Sequence, residues 1–309
     1  MTTEWRIDST FKLVAPPFTQ LFSIHSPLDL GGSEKQYALG FVLMSGKRKE
    51  DYQAVFEEII KTLENERGLS VKVKSFLLDY EVSAWQALRE VFGDSIKIRG
   101  CYFHLMQALI RKLHNKGLMS AYYQKGALHK FIKQLASLPL LDAPAIPGVF
   151  DHMVGKVCEA YQYSLGDYND MDKRKEKHAP KLIQVFQYFE DQWMNGKNFT
   201  PKDWSIYWED IRTNNSLEQW NGKVTKEAGN KGLHIFKLGK YLHNYTKSVE
   251  SIDIRLHMWG VYDNYKKASQ SKKDEQFKKL WRDYENELQS NTKLSSFLLL
   301  ERGKPFLIN

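Results

Sequence analysis

The sequence predicts an α/β protein: a mixed five-stranded sheet within its first hundred residues, and helices for nearly all that follows. Three observations carry this. Apolar and polar residues alternate at period two from Trp5 onward, and strand-like runs recur twice more before residue 45. Two amphipathic segments of helical period then separate two short apolar runs. From Leu105 the strand signal stops and helical spacing takes over.

Each element can be justified in turn. Trp5, Ile7, Ser9, Phe11 and Leu13 alternate with Arg6, Asp8, Thr10 and Lys12, the pattern of a strand. Ala15-Pro16-Pro17 breaks it. Residues 18–25 resume as a second strand, close enough for a hairpin. Residues 27–34, with Gly31-Gly32, read as a loop, and residues 36–44 as a third strand. Tyr52, Val55, Phe56, Ile59, Ile60 and Leu63 recur at helical spacing, so residues 49–67 form an amphipathic helix that Gly68 ends. Residues 71–78 make a fourth strand, whose apolar end Phe76-Leu77-Leu78 suits burial on both faces. Val82, Trp85, Leu88 and Phe92 make a second helix, stopped by Gly93, and residues 96–101 a fifth strand. Three antiparallel strands followed by right-handed crossovers give a mixed sheet with helices on its faces. This β-β-β-α-β-α-β order is that of ribonuclease-H-like nucleases and transposases.

The remainder reads as helices at residues 105–113, 122–135, 149–163, 180–193, 215–227, 236–258 and 272–287. Pro139, Pro144 and Pro147 mark a break, residues 166–178 a charged loop, and residues 199–208 an aromatic connector. Pro180 stands where a proline favours the first turn of a helix. The expected organisation is a sheet-bearing core over residues 1–104, a helical insertion over 105–212, a core helix over 213–230 and a helical C-terminal region over 231–309.

Composition bounds the function. Of 309 residues 42% are apolar and 27% charged, which excludes wholesale disorder and collagen-like repeats. Two cysteines, Cys101 and Cys158, cannot build a disulfide framework. No apolar run is long enough for a membrane span, and the first residues lack the apolar centre of a signal peptide. The net charge is +8, and it is concentrated. Residues 95–141 contain no acid but carry Lys97, Arg99, Arg111, Lys112, Lys116, Lys125, Lys130 and Lys133. Residues 219–247 add six lysines against Glu227 alone. Clustered positive charge points to a polyanion, of which nucleic acid is the commonest; a solvated lysine-rich helix face is the plainer alternative.

Three acids stand out by position. Asp8 interrupts the first strand, and Asp79 follows the end of the fourth. If those strands are neighbours, the two carboxylates meet at one end of the sheet, where open sheets place their ligands. A third acid must come from later in the chain; Glu218 lies just inside a helix capped by Asn214 or Asn215, with Glu209 and Glu227 as nearby alternatives. Converging carboxylates repel one another unless divalent cations relieve them, and carboxylate oxygens suit Mg²⁺ or Mn²⁺.

The chain resembles the catalytic domain of Mutator-like (MULE) transposases in five motifs, in order. They are Asp8-Ser9-Thr10-Phe11; Pro17-Phe18-Thr19-Gln20-Leu21; Asp79-Tyr80-Glu81; Gly100-Cys101-Tyr102-Phe103-His104 followed by Gln107; and Thr213-Asn214-Asn215-Ser216-Leu217-Glu218-Gln219-Trp220. Ser9 stands where the family usually has glycine, and Asn221 where histidine often follows the tryptophan. The resemblance implies a ribonuclease-H-like fold, a DDE triad of Asp8, Asp79 and Glu218, and two Mg²⁺ or Mn²⁺ ions. Asp8 would bridge both ions, with Asp79 and Glu218 each holding one. It implies DNA as partner, both transposon ends and target, a nuclear location, and a homo-oligomer as a further option. The zinc-binding recognition domain that usually accompanies this family has no counterpart before Asp8. A truncated or host-adopted non-catalytic derivative that binds DNA or protein is therefore the alternative function. A two-carboxylate hydrolase such as a glycosidase is disfavoured by the basic charge.

The remaining candidates are weaker. Cys101 and His104 have the spacing of half a zinc site, but a packed thiol beside a hydrogen-bonded imidazole is the commoner arrangement. The family keeps this pair beside the active site, so His104 is also a candidate for contacting the scissile phosphate. Arg99, Arg111, Lys112, Lys116, Lys125, Lys130 and Lys133 are candidate phosphate contacts, which confer affinity rather than sequence readout. Trp204, Trp208 and Trp220 are candidates for stacking on unpaired bases, with core packing as the alternative.

Overall fold

Five strands pair into one sheet in the order β3-β2-β1-β4-β5. They are β1 (Glu4–Thr10), β2 (Gln20–Asp29), β3 (Glu34–Met44), β4 (Ser75–Leu78) and β5 (Lys97–Gly100). The computed structural model describes residues 3–29, 34–66, 68, 70–166, 173–209, 215–227, 232–259 and 268–289. β1, β2 and β3 are antiparallel neighbours, and β4 and β5 continue the sheet in parallel with β1. The crossovers are α1 (Lys49–Lys61), which widens into one broader turn over Thr62–Glu66, and α2 (Val82–Phe92). This is the ribonuclease-H-like arrangement expected from the order of elements.

The pleat sorts the strands' side chains by chemistry. Trp5, Phe22 and Phe76 share one face with Phe56 of α1 and Phe92 of α2. The Phe76 and Phe92 rings lie 4.9 Å apart, and Phe22, Phe56 and Phe76 are sealed from solvent. Each such ring stabilises the fold by about 1.5–3 kcal/mol through burial. Alternate positions Glu4, Arg6 and Asp8 belong to the other face, together with Ser23 and Arg99. Here Glu4 bridges two buried guanidinium groups, Arg6 at 2.8 Å and Arg99 at 2.9 Å.

Two helices of the later chain cover this polar face. α9 (Asn215–Glu227) and α10 (Ile235–Trp259) contribute Val224 and Leu238, which pack with Leu13 and Leu21. Trp220 stacks on Phe41 of β3, rings 5.1 Å apart, and meets His25 edge-on at 5.6 Å. Leu13 is thus buried without belonging to the first strand, which ends at Thr10.

The chain divides into two compact units. The first comprises Met1–Cys101 and Thr213–Lys267, hence the sheet, α1, α2, α9 and α10. The second comprises Tyr102–Arg212 and Ala268–Asn309. It is built from α3 (Tyr102–Asn115), α4 (Met119–Tyr123), α5 (Ala127–Ser137), α6 (Ile146–Gly166), α7 (Lys173–Phe189), α8 (Pro201–Trp204) and α11 (Ala268–Gln289). Trp281 of α11 ties this unit together: its indole N–H donates to the Leu140 carbonyl at 3.0 Å. Trp204 does the same toward Trp193, at 2.8 Å. Pro180 sits inside α7 rather than opening it, since the helix begins at Lys173.

Burial under α9 sets a pH dependence. His25 is 2% exposed, and burial together with the nearby Arg6 charge lowers its pKa to about 3. In the unfolded chain the imidazole titrates at its ordinary value. Between the two values the unfolded state holds the extra proton, so stability rises with pH and is lost as pH falls. The slope is up to ~1.4 kcal/mol per pH unit for one group. His104, lowered by burial to about 4, adds its own share. A His25→Phe protein should lose about one proton's worth of slope in urea-unfolding free energy between pH 6.5 and 5. An unchanged slope would show that His25 is charged or solvated when folded.

Candidate active site

β1 and β4 run side by side with Glu4 opposite Ser75, Trp5 opposite Phe76 and Arg6 opposite Leu77. β1 continues two residues past Arg6 to Asp8, and Asp79 directly follows the end of β4 at Leu78, so the two acids lie at the same end of neighbouring parallel strands. Asp8 is 6% exposed. Its Oδ1 accepts the Ser9 backbone N–H at 2.9 Å, and its Oδ2 accepts Asn221 Nδ2 at 2.7 Å. The second bond crosses from α9, 213 positions later in the chain.

Asp79 begins the turn into α2. The Trp85 indole N–H, one turn into that helix, donates to the Asp79 carbonyl at 2.7 Å. The backbone N–H of Glu81 bonds the Asp79 carboxylate, yet burial dominates and pushes its carboxyl above the ordinary range. Tyr80 stacks on Trp85 with an interplanar angle of 14°. Its ring fills the space that a side chain at Gly100 would need, which explains glycine at that point of β5. The third and fourth motifs, Asp79-Tyr80-Glu81 and the segment from Gly100, therefore pack as one unit.

A buried polar chain backs these acids. Gln20, fully buried at the start of β2, donates from Nε2 to the Tyr52 hydroxyl of α1 at 2.8 Å. The Tyr52 hydroxyl in turn bonds the Glu81 carboxylate. Burial, then the neighbouring Asp79 charge, raises the Glu81 carboxyl. Lys47, in the turn after β3, draws both carboxyls back down.

The third expected acid, Glu218, lies on α9 one turn before Asn221; its side chain is outside the described residues. Glu209, an alternative, belongs to the second unit, and the Glu227 side chain is also outside the described residues. Among the described residues no three of His, Cys, Asp or Glu gather into a metal-binding cluster. The donors do suit a hard divalent cation: two carboxylates on adjacent strands, and a buried Asn221 Oδ1 that accepts no hydrogen bond.

Cys101 is fully buried at the end of β5, its N–H bonded to the Leu78 carbonyl at 2.7 Å. His104 lies on α3, at the start of the second unit, with a buried Nδ1 that makes no hydrogen bond. No second pair of zinc ligands joins them among the described residues.

The expected phosphate contacts divide. Arg99 is turned inward and held by Glu4, and Lys133 is buried, which lowers its pKa; neither presents its charge to a ligand. Both were legible only as charges, and their inward side of strand and helix was not. Arg111, Lys125 and Lys130 are exposed, Lys116 is half-buried, and Lys112 lies over the Tyr188 ring at 4.4 Å. Of the tryptophans, Trp204 is sealed in the second unit and Trp220 packs from α9 onto Phe41 of β3. Trp208 is 40% exposed, its indole bonded to Glu285.

Residues 4–108 match the model of the MULE transposase domain. Over this stretch the chain is similar to that family. The matched segment spans β1 through the first half of α3, so it includes Asp8, Asp79, Glu81, Gly100, Cys101 and His104. α9, which supplies Asn221, lies beyond the match. No curated protein and no solved structure matches the chain. Neither Tyr52 nor Lys47 stood out in the sequence as part of the candidate site, and Asn221 was legible only as the residue after Trp220. Gln20 also carried a signal, through its place in the second motif.

Proposed function

We propose that the chain is a transposase catalytic core, a DDE-type endonuclease that cuts DNA phosphodiesters and transfers strands. The observation that carries this reading is the placement of Asp8 and Asp79 at the same end of adjacent parallel strands, with Asn221 of α9 bonded to Asp8. Asp8, Asp79 and Glu218 are the residues that would hold the metal. Two Mg²⁺ or Mn²⁺ ions, when bound, would supply an activated water or 3′-hydroxyl and stabilise the leaving 3′-oxygen. The protein's own part is positioning. Asn221 and the Ser9 N–H fix the Asp8 carboxylate from two sides, while Trp85 and the Glu81 N–H fix the Asp79 segment. The buried Gln20–Tyr52–Glu81 chain keeps the neighbouring turn rigid. Partners are transposon-end and target DNA, which places the protein's work in the nucleus.

The test is Mn²⁺- or Mg²⁺-dependent nicking of labelled duplex DNA by the purified protein beside Asp79→Asn. Metal-dependent nicking that the variant lacks is the expected result. Salt-sensitive DNA binding without nicking in either protein would instead identify a non-catalytic binding derivative. Nicking that survives in the variant would remove Asp79 from the chemistry.

A further inference from the structure

The turn from β3 to α1 carries three consecutive cations, and their partners differ. Arg48 is committed to Asp51: Nη2 lies 3.0 Å from Oδ1, and the Arg48 backbone N–H donates to Oδ2 at 2.8 Å. Lys49 is committed to Glu90 at 2.6 Å. Lys47 instead rests its ammonium over the Phe11 ring, 3.5 Å from its centre. Gly46 packs so closely on the Asp51 carboxylate that no side chain fits there, so the turn presenting Lys47 is held from behind.

Phe11 is as informative as Lys47. It is 46% exposed and follows β1 directly, three positions after Asp8. The fold packs both neighbouring aromatic clusters without it. A phenylalanine left in solvent beside a buried acid pair forgoes the stabilisation that burial gives. The contact with Lys47 recovers only a small part of that. Phe11 follows Asp8 by three positions, and the same ammonium acts electrostatically on Asp79 and Glu81, so the pair lies at the acid end of the sheet. An acidic site that takes a polyanion needs a cation on the approach, and among these three residues Lys47 is the one not held by a carboxylate.

We propose that Lys47 and Phe11 form a clamp for the strand being cut, Lys47 pairing with a backbone phosphate beside the scissile one and Phe11 stacking on the adjoining base. The proposal rests on the acid pair being the cutting site. Stacking needs a base whose face is open, so it also names a substrate class: DNA with an unpaired or unstacked base next to the cut. Such stacking tolerates any base and gives no sequence readout.

The experiment uses the full chain in Ca²⁺ with two probes, a fully paired duplex and the same duplex with one unpaired 2-aminopurine at the junction. Lys47→Ala should weaken binding of both and reduce the salt dependence by about one phosphate contact, with Lys47→Arg retaining it. Phe11→Ala should weaken binding of the open duplex by roughly tenfold, abolish quenching of the 2-aminopurine, and leave the paired duplex unaffected. In Mn²⁺ both alanine variants should raise KM far more than they lower kcat. A loss spread equally over both probes in Phe11→Ala would reduce that residue to a structural role and overturn the stacking. Wild-type binding and cutting with an unchanged Lys47→Ala overturns the clamp while leaving the nuclease reading intact. Failure of the wild-type protein to bind either probe defeats both. Binding without cutting, still sensitive to both variants, retains the clamp and defeats only the nuclease.

Discussion

An Asp8→Asn protein should fold and fail to cut DNA. The carboxylate is buried between two donors, the Ser9 N–H and Asn221 Nδ2. An amide can accept from one of them, but its NH₂ then faces the other. That mismatch costs about 1 kcal/mol, and relief from burying a charge offsets it. The rate has no such compensation. Holding a cation against the scissile phosphate is worth several kcal/mol of transition-state stabilisation, so losing the anion should slow nicking by roughly a thousandfold or more. Urea unfolding read alongside Mn²⁺-dependent nicking separates the two effects. Nicking at the wild-type rate would take Asp8 out of the chemistry. Unfolding at neutral pH would make it a structural anion instead.

Trp85→Ala should be among the most destabilising single changes in the sheet-bearing unit. The side chain is 1% exposed, bonds the Asp79 carbonyl, stacks on Tyr80 and carries the Arg89 guanidinium over its ring at 5.7 Å. Deleting a buried indole costs about 3–5 kcal/mol, a large share of what a domain has. Trp85→Phe is the sharper probe. It keeps most of the packing but strands the Asp79 carbonyl, at a cost of about 1–3 kcal/mol. Because that carbonyl anchors the acid's own backbone, nicking should fall by more than the lost stability explains. A phenylalanine variant equal to wild type in both urea midpoint and nicking would show that the indole N–H holds nothing of consequence.

The sheet was legible because its strands bury one kind of side chain per face. Period two through Trp5, Ile7 and Ser9, and the apolar run Phe76-Leu77-Leu78, are direct consequences of that burial. The same signal overran at Leu13, which is buried by α9 and α10 rather than by pairing. Parity cannot tell those two causes apart. Val71 likewise precedes β4 without joining it. Pro180 misled for a related reason: a first-turn preference does not forbid a helix that starts earlier. Within the site, Asp8 and Asp79 could be paired from topology alone, because parallel neighbours bring strand ends together. Asn221 could not, since its bond to Asp8 joins residues 213 positions apart and is carried by no local pattern. The inward turn of Arg99 depends on Glu4, a residue on a different strand, and was equally hidden.

The split of the first unit around Tyr102–Arg212 has a consequence in time. A ribosome makes β1, β4 and the two acids early, then the Tyr102–Arg212 part of the second unit, and only afterwards the helix that holds Asp8. At ordinary synthesis rates that interval is on the order of ten seconds. Throughout it the nascent chain lacks the residues that complete the acid pair's surroundings. On the reading proposed above, a chain whose synthesis aborts within Tyr102–Arg212 is chemically silent. On that same reading, cutting would switch on only after translation has passed α9.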